Sequence, residues 1–339
     1  MLPLDLYVSV LEQLEAHRTE PDAVLTLVSC LQTNSELREA ALVGALWESH
    51  YRVRYLHTEE HDSESRLKAR CNSNWRLMYA ERRRQDKVAL GLLDEMTLHR
   101  EGRYKIAATL TSMSFDIWDA LEIQGSLSVP TLFGGSAAAT AAPYALTRRF
   151  WAEAILDAIS RRFAVLQWGR LTEDTASVSF VDAFSSLSCF FGKPPQEMHA
   201  HLLALGGACR KYLLKQRCSV DSDLPDACTK ICQFMHEQGF GAVEPTRFYD
   251  ISNHFPHLYL TTNKRSIPIS LVHIFVSLAR QLGIPASPIE FPARVLAHIS
   301  SPPGSDDFLV DPYGADIKPI VSLRNDVPTM LMRLGIPPL

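Results

Sequence analysis

The sequence lacks the features that would assign it to a membrane, to secretion or to nucleic acid. No uncharged apolar stretch of the 339-residue chain approaches the ~20 residues that span a bilayer. The first residues carry Asp5 and Glu12 inside an apolar run with no basic segment before it, unlike a secretory signal. A net charge of −4 provides no global basic field, so we expect neither membrane nor nucleic-acid binding.

A disulfide framework and the common cofactor motifs are also missing. The seven cysteines are scattered through the chain, which predicts reduced thiols and a location in the cytoplasm, the nucleus or both. Cys228, Cys232 and His236 share one face of a predicted helix, but the outer two lie ~12 Å apart along its axis. One zinc ion with bonds of ~2.0–2.3 Å cannot reach all three. Dinucleotide, Walker and HExxH patterns are absent, so we expect no metal and no cofactor.

The first 57 residues are predicted to form three short amphipathic helices. Pro3 stands where the first helix can begin, Pro21 near the start of the second, and residues 33–35 cap the third. The third stripe continues through Trp47 to Tyr51. Three short helices make a thin core, and such a unit usually leans on a partner for part of its burial.

This pattern resembles an F-box. The match consists of Leu2-Pro3, the apolar stripe of the first helix, the segment Leu25–Cys30 and a late Leu46-Trp47. F-boxes bind Skp1 and recruit their protein to a cullin–RING ubiquitin ligase. The resemblance implies that Skp1 contacts Leu2, Pro3, Leu6, Val10, Leu11, Leu14, Val28, Leu46 and Trp47. The alternative is a small helical cap packed on the rest of the chain.

Residues 58–238 are predicted to be mostly helical, with a flexible connector at 134–143 and a turn at 191–195. Residues 144–171 and 181–213 resemble the helical lead-in of the SirB1 N-terminal family. In that family a transglutaminase-like core follows directly. The resemblance covers the chain from about Met96 to its end.

The last hundred residues alternate helical and strand patterns. A helix is predicted to begin near Pro268 and to end at Gly283. Residues 288–300 and 308–313 have strand character, with a turn over 301–307 between them. Residues 321–339 indicate one more short helix.

Residues 248–299 and 308–315 resemble the core of a transglutaminase-like fold. There, a nucleophile opens a helix, a base lies on the next strand and an aspartate on the strand after it. The resemblance places Ser270, Arg294 and Asp311 at those positions. A guanidinium does not deprotonate in proteins, so Arg294 cannot act as a base. We expect it to pair with Asp311, which leaves a degenerate site with no catalytic residue.

Four other residues are candidates for the lining of the old pocket. His273 lies one helical turn from Ser270, ~5–6 Å away at the Cβ atoms. Tyr249, Asp250 and Asn253 match a Tyr-Asp-x-x-Asn stretch of the SirB1 family. They either line the pocket or build a turn through side-chain hydrogen bonds, and we favour the turn.

Together these patterns predict an α+β protein. The N-terminal two thirds are mostly helical and a transglutaminase-like (papain-like) α+β core follows. The predicted domains are an F-box-like unit at 1–57, a helical linker at 58–95, a SirB1-type lead-in at 96–240 and the core at 241–339.

The combination favours an adaptor over an enzyme. The first hypothesis is a substrate-recognition subunit of an SCF ubiquitin ligase that binds Skp1 and an unknown protein target. The second is a hydrolase or acyltransferase using Ser270, and the third a non-catalytic scaffold whose F-box-like helices pack internally. Related F-box proteins often add a hemimethylated-DNA-binding domain. This chain stops at Leu339, so we predict no DNA-binding role.

Overall fold

The computed structural model divides the chain into two compact units, Met1–Ile159 and Ser160–Leu339. Its class is α+β, as predicted, with the sheets in the C-terminal region. None of the helices in the described ranges has the length and apolar character to cross a membrane. All seven cysteines are free thiols. The structure describes residues 3–19, 21–57, 62–127, 144–173, 178–220, 222–292, 294–314 and 319–336.

The first unit is helical throughout its described residues. Its helices are α1 (Leu4–Leu11), α2 (Asp22–Leu31), α3 (Ser35–Ala41), α4 (Gly44–Arg54), α5 (Asp62–Arg70), α6 (Trp75–Leu98), α7 (Arg103–Ser112) and α8 (Trp118–Gly125), followed by the start of α9 (Ala145–Glu173), which continues into the second unit. The predicted connector at 134–143 and Leu2 lie outside the described residues.

The prediction of a single third F-box-like helix is wrong, because the structure divides this segment into α3 and α4. Val43 adopts an extended conformation with φ −61° and ψ 121°. The Trp47 indole donates a 2.7 Å hydrogen bond to the Ala41 carbonyl at the end of α3. This carbonyl has no partner within its own helix, so the indole satisfies it. A single amphipathic stripe cannot reveal the break.

The core of the first unit joins the F-box-like helices to α5 and α6. Its buried apolar residues are Leu11, Leu27, Ala40, Ala41, Leu46, Trp47, Tyr51, Tyr55, Leu67, Met78 and Tyr79. The Trp47 and Tyr79 rings meet edge to face at 6.0 Å. Residues 58–95, predicted as a linker, therefore contain part of this core. The predicted domain boundaries stay predictions.

The buried carboxylate of Asp119, at the start of α8, forms hydrogen bonds to residues of two loops of this unit. Asp119 is 0% exposed. It accepts hydrogen bonds from the backbone N–H groups of Leu56 and His57, and from the guanidinium of Arg18 at 2.9 Å. Burial raises the pKa of Asp119, but hydrogen bonds from His57, Leu56 and Arg18 outweigh that effect and hold the pKa below its usual value. The carboxylate is therefore charged, and both of its oxygens accept hydrogen bonds.

The second unit combines helices with two sheets. After α9 it contains α10 (Phe180–Ser185), α11 (Pro195–Lys215), α12 (Leu224–Glu237), β1 (Gly241–Ala242), α13 (Pro256–Tyr259), β2 (Arg265–Ser266), α14 (Pro268–Gln281), β3 (Ala286–Phe291), β4 (Arg294–Ile299), β5 (Phe308–Val310), β6 (Ile320–Ser322) and α15 (Asp326–Arg333). Helical character over 58–238 and a short helix near the C-terminus are confirmed.

Helix α14 is the centre of this unit. Every residue from Ser270 to Ala279 is buried, as expected for a helix that is apolar on all sides. The predicted boundaries are confirmed: Pro268 is its first residue, and Gly283 adopts φ +85° just after its end. A left-handed conformation at this position favours glycine.

A four-stranded antiparallel sheet, in the order β3-β4-β5-β6, carries the other candidate residues. The strand predicted over 288–300 is two strands, because β3 and β4 form a hairpin that pairs Phe291 with Arg294. Side chains alternate between the faces of the sheet. Ala297 and Ile299 join the core that contains α14, whereas Leu296 packs in a separate cluster with residues of α15. The sheet therefore holds Arg294 and Asp311 at one edge of a packed scaffold.

We predict that Asp119→Asn lowers the free energy of unfolding by about 1.5–3 kcal/mol, because it removes a buried charged acceptor of hydrogen bonds and weakens the ion pair with Arg18, which keeps Glu122 as a partner. The pKa of Asp119 is lower in the folded state than its unfolded value of about 3.9. Its contribution is therefore present at pH 7 and disappears as the pH falls through the folded-state pKa. Chemical denaturation of the full chain measures the loss. Asp5→Asn, at an exposed acid of the same unit, is the control, and equal denaturation midpoints for the two variants would contradict the assigned role.

Candidate functional site

The structure brings together two of the three triad positions. Ser270 lies in the first turn of α14, Arg294 is the first residue of β4, and Asp311 follows β5 directly. Arg294 Nη1 lies 2.6 Å from Asp311 Oδ2, so the predicted ion pair is present. The other Asp311 oxygen, Oδ1, accepts the backbone N–H groups of Tyr313 at 3.1 Å and Gly314 at 3.3 Å. Both oxygens of the carboxylate are thus engaged.

The Ser270 hydroxyl is committed to the backbone. The residue is 0% exposed, and Oγ donates a 2.5 Å hydrogen bond to the carbonyl of Asn253. Ser266 donates to the same carbonyl at 2.9 Å. Two hydroxyl groups therefore fasten the 251–253 turn to the start of α14. This geometry gives the Ser270 oxygen neither a proton acceptor with basic character nor access to solvent.

His273 is a buried, neutral structural residue. Nε2 lies 3.1 Å from the carbonyl of Val181, and Nδ1 lies 2.9 Å from the hydroxyl of Tyr259. A carbonyl only accepts, so the hydrogen sits on Nε2 and Nδ1 accepts from Tyr259. Burial lowers the pKa of His273 to about 4. Both ring nitrogens are occupied, and neither serves Ser270.

The Tyr-Asp-x-x-Asn stretch builds a turn. The Asn253 side-chain amide donates to the carbonyls of Arg247 at 2.7 Å and Phe248 at 3.1 Å. Asp250 pairs with Arg247 at 2.9 Å on the surface, and Tyr249 is 91% exposed. Asn253 is therefore the organiser of the turn, in line with the interpretation favoured from the sequence.

A cleft of about 320 Å³ opens beside Asp311, and sequence reasoning did not find it. Its lining includes Cys232 and His236 of α12, Arg265 of β2, and Tyr313. Burial raises the pKa of the Cys232 thiol well above its usual value, and Cys228 and Asp311 add to the rise. Cys232 is a neutral thiol and a poor nucleophile. The one signal in the sequence was the shared helix face of Cys232 and His236.

One group of side chains in the described residues has metal-ligand spacing: ligand atoms of His57, Asp119 and Glu122 lie within 4.8 Å of one another. Arg18 forms ion pairs with both carboxylates. The Arg18 guanidinium thus already supplies the positive charge that a metal ion would bring. We therefore interpret His57, Asp119 and Glu122 as part of an ion-pair network of the first unit.

The residues assigned to Skp1 binding separate into two groups. Leu6 is 50% exposed, Val10 is 67% exposed and Val28 is 37% exposed, so these side chains face solvent. The structure also places Pro3 at the surface and leaves Leu14 half-buried. The side chains of Leu11, Leu46 and Trp47 are buried in the core of the first unit, and their contact with Skp1 stays a prediction.

We predict that His273 makes the chain less stable in mild acid. The folded-state pKa of about 4 lies below the unfolded value of about 6.5, so protonation favours unfolding. Stability falls as the pH drops from 6.5 towards 4, by about 3 kcal/mol in all. Urea unfolding at pH 7 and pH 5 measures this change. His273→Gln should show a smaller loss between the two pH values, whereas the exposed control His254→Gln should behave as the wild type. A His273→Gln variant with the wild-type pH dependence would refute the assignment.

Comparison with known proteins adds one finding. A model of the transglutaminase-like superfamily, described as Transglut_core2, matches residues 196–323. No curated protein and no solved structure matches the chain. The matched range begins in α11 and contains α14, the four-stranded sheet and all three triad positions. Residues 196–323 therefore form a domain of the transglutaminase-like superfamily.

Proposed function

We propose that this chain is a substrate-recognition adaptor of an SCF ubiquitin ligase. On this proposal the N-terminal helices bind Skp1, and a SirB1-type transglutaminase-like region binds a protein target without catalysis, in the cytoplasm or nucleus. The proposal that the transglutaminase-like region is not catalytic rests on the Arg294–Asp311 ion pair. It occupies the two positions where a base and its orienting acid would stand.

Thiol or hydroxyl acyl transfer needs a nucleophile, a base that removes its proton and a group that orients the base. Arg294 stays protonated, and Asp311 neutralises its charge. The Ser270 hydroxyl is buried and bonded to a carbonyl. These contacts speak against the alternative of a Ser270-dependent hydrolase or acyltransferase and favour a pseudoenzyme.

Exposed apolar side chains support the docking half of the proposal. Leu6 and Val10 lie on α1, and Leu25 and Val28 lie on α2, at exposures between 37% and 67%. We call these four residues the apolar surface. Leu6 and Val10 are four residues apart and share one face of α1, and Leu25 and Val28 are three apart and share one face of α2. Exposed apolar groups of this kind often mark sites of protein–protein interaction. The surface coincides with part of the F-box-like pattern.

A second candidate is a non-catalytic scaffold whose F-box-like helices pack internally. The burial of Leu11 and Trp47 with Met78 and Tyr79 of α6 favours it. The exposure of Leu6 favours the adaptor instead. The two hypotheses differ in whether the apolar surface binds Skp1.

We predict that the full chain captures Skp1 in co-purification, and that Leu6→Ser combined with Val10→Ser reduces capture at least tenfold. Both residues are exposed, so the variant should keep its fold while it loses apolar contact area. The matched control is Val88→Ser, which changes a 46%-exposed valine on α6 outside the apolar surface. Circular dichroism confirms that each variant is folded.

Skp1 capture by the wild type and by Val88→Ser, but not by the double variant, would support the adaptor. A folded wild-type chain that captures no Skp1 would contradict the adaptor and favour the scaffold. Equal capture by the double variant and the control would refute the role of the apolar surface.

A further inference from the structure

The cleft beside the ion pair has the size of a ligand site. We call it the Arg265 cleft; its volume is about 320 Å³, and ligand pockets in proteins span roughly 300–1,000 Å³. Its lining combines apolar and polar groups, among them Cys232, His236, Phe240, Arg265, Asp311 and Tyr313. All of these lie in the transglutaminase-like domain.

The charges around the cleft leave one guanidinium available. Asp311 is neutralised by Arg294 at 2.6 Å. Glu237 also lines the cleft; its Oε1 accepts a 3.0 Å hydrogen bond from the phenol of Tyr212, a neutral donor that does not cancel the charge of a carboxylate. Arg265 is exposed, and no carboxylate among the described residues lies within 4.0 Å of its guanidinium. His236 is exposed at the same cleft.

A glycine sets the position of that guanidinium. The parallel pairing of β1 with β2 places Gly241 beside Arg265. A Cβ atom on Gly241 would lie 2.8 Å from Arg265 Nη1, closer than such atoms approach one another. The guanidinium therefore lies against the bare backbone of residue 241, and a larger residue there would require this flexible end of the arginine side chain to shift.

We propose that the Arg265 cleft binds the C-terminal carboxylate of a peptide segment, with Arg265 as the anchor. A planar guanidinium with free N–H donors recognises a carboxylate through two parallel hydrogen bonds. Tyr313, which is half-buried, provides apolar surface for the residue that carries the carboxylate. The inference rests on the proposed binding role of the transglutaminase-like domain, and it names the chemistry of the ligand.

The test uses immobilised full chain and two pools of N-acetylated tetrapeptides, randomised at three positions with Asp and Glu left out. One pool ends in a free carboxylate and the other in an amide, and mass spectrometry measures retention. We expect retention of the free-acid pool to exceed that of the amide pool at least tenfold. Arg265→Gln should bring the acid pool down to the amide level. Arg247→Gln, at an exposed arginine outside the cleft, should retain the acid pool as the wild type does.

A second variant, Gly241→Ala, keeps the charge of Arg265 and shifts only the flexible end of its side chain, so we expect it to weaken the preference for the acid pool less than Arg265→Gln does. Equal retention of both pools, or undiminished retention by Arg265→Gln, would overturn the proposal. Arg265-dependent binding of succinate without peptide retention would assign the cleft to a free small acid and overturn the peptide ligand. The assay contains no Skp1, and Arg265→Gln should still capture Skp1. Failure here is therefore distinguishable from failure of the adaptor role.

Discussion

The ion pair between Arg294 and Asp311 is the interaction on which the candidate site depends. It joins the start of β4 to the end of β5, while the second Asp311 oxygen holds the turn at Tyr313 and Gly314. The Asp311 side chain is 9% exposed, so loss of Arg294 would leave a carboxylate that is largely buried and uncompensated. The same contact that links β4 to β5 at this end of the sheet occupies the groups that acyl-transfer chemistry would need.

The other polar groups near the start of α14 follow the same logic. Ser270 and Ser266 share the carbonyl of Asn253, and the Asn253 amide closes the preceding turn. Both ring nitrogens of His273 form hydrogen bonds within the fold. Buried polar groups need partners, and here the partners come from the protein itself. The polar groups of the Ser270 region thus all have hydrogen-bond partners within the protein. In the Arg265 cleft, by contrast, the guanidinium of Arg265 has N–H donors available for a ligand.

Sequence reasoning reached the features that depend on local pattern. The Pro268 start and Gly283 end of α14 follow from helix-boundary chemistry, and the Arg294–Asp311 pair followed from the resemblance once an arginine stood at the base position. It missed features that depend on distant partners. The break between α3 and α4 is stabilised by Trp47, six residues beyond the carbonyl it caps. The Arg265 cleft assembles from residues 232, 265 and 311, whose proximity no periodicity reveals.

We propose that the transglutaminase-like domain of this chain binds its target without catalysis. The most direct test treats the folded full chain with a fluorophosphonate probe, which reacts with activated serine hydroxyls, and locates any adduct by mass spectrometry. Ser270→Ala serves as the comparison. We expect no adduct on Ser270 in the wild type, because its hydroxyl is buried and bonded to the Asn253 carbonyl. Labelling of Ser270 that disappears in Ser270→Ala would contradict a non-catalytic role.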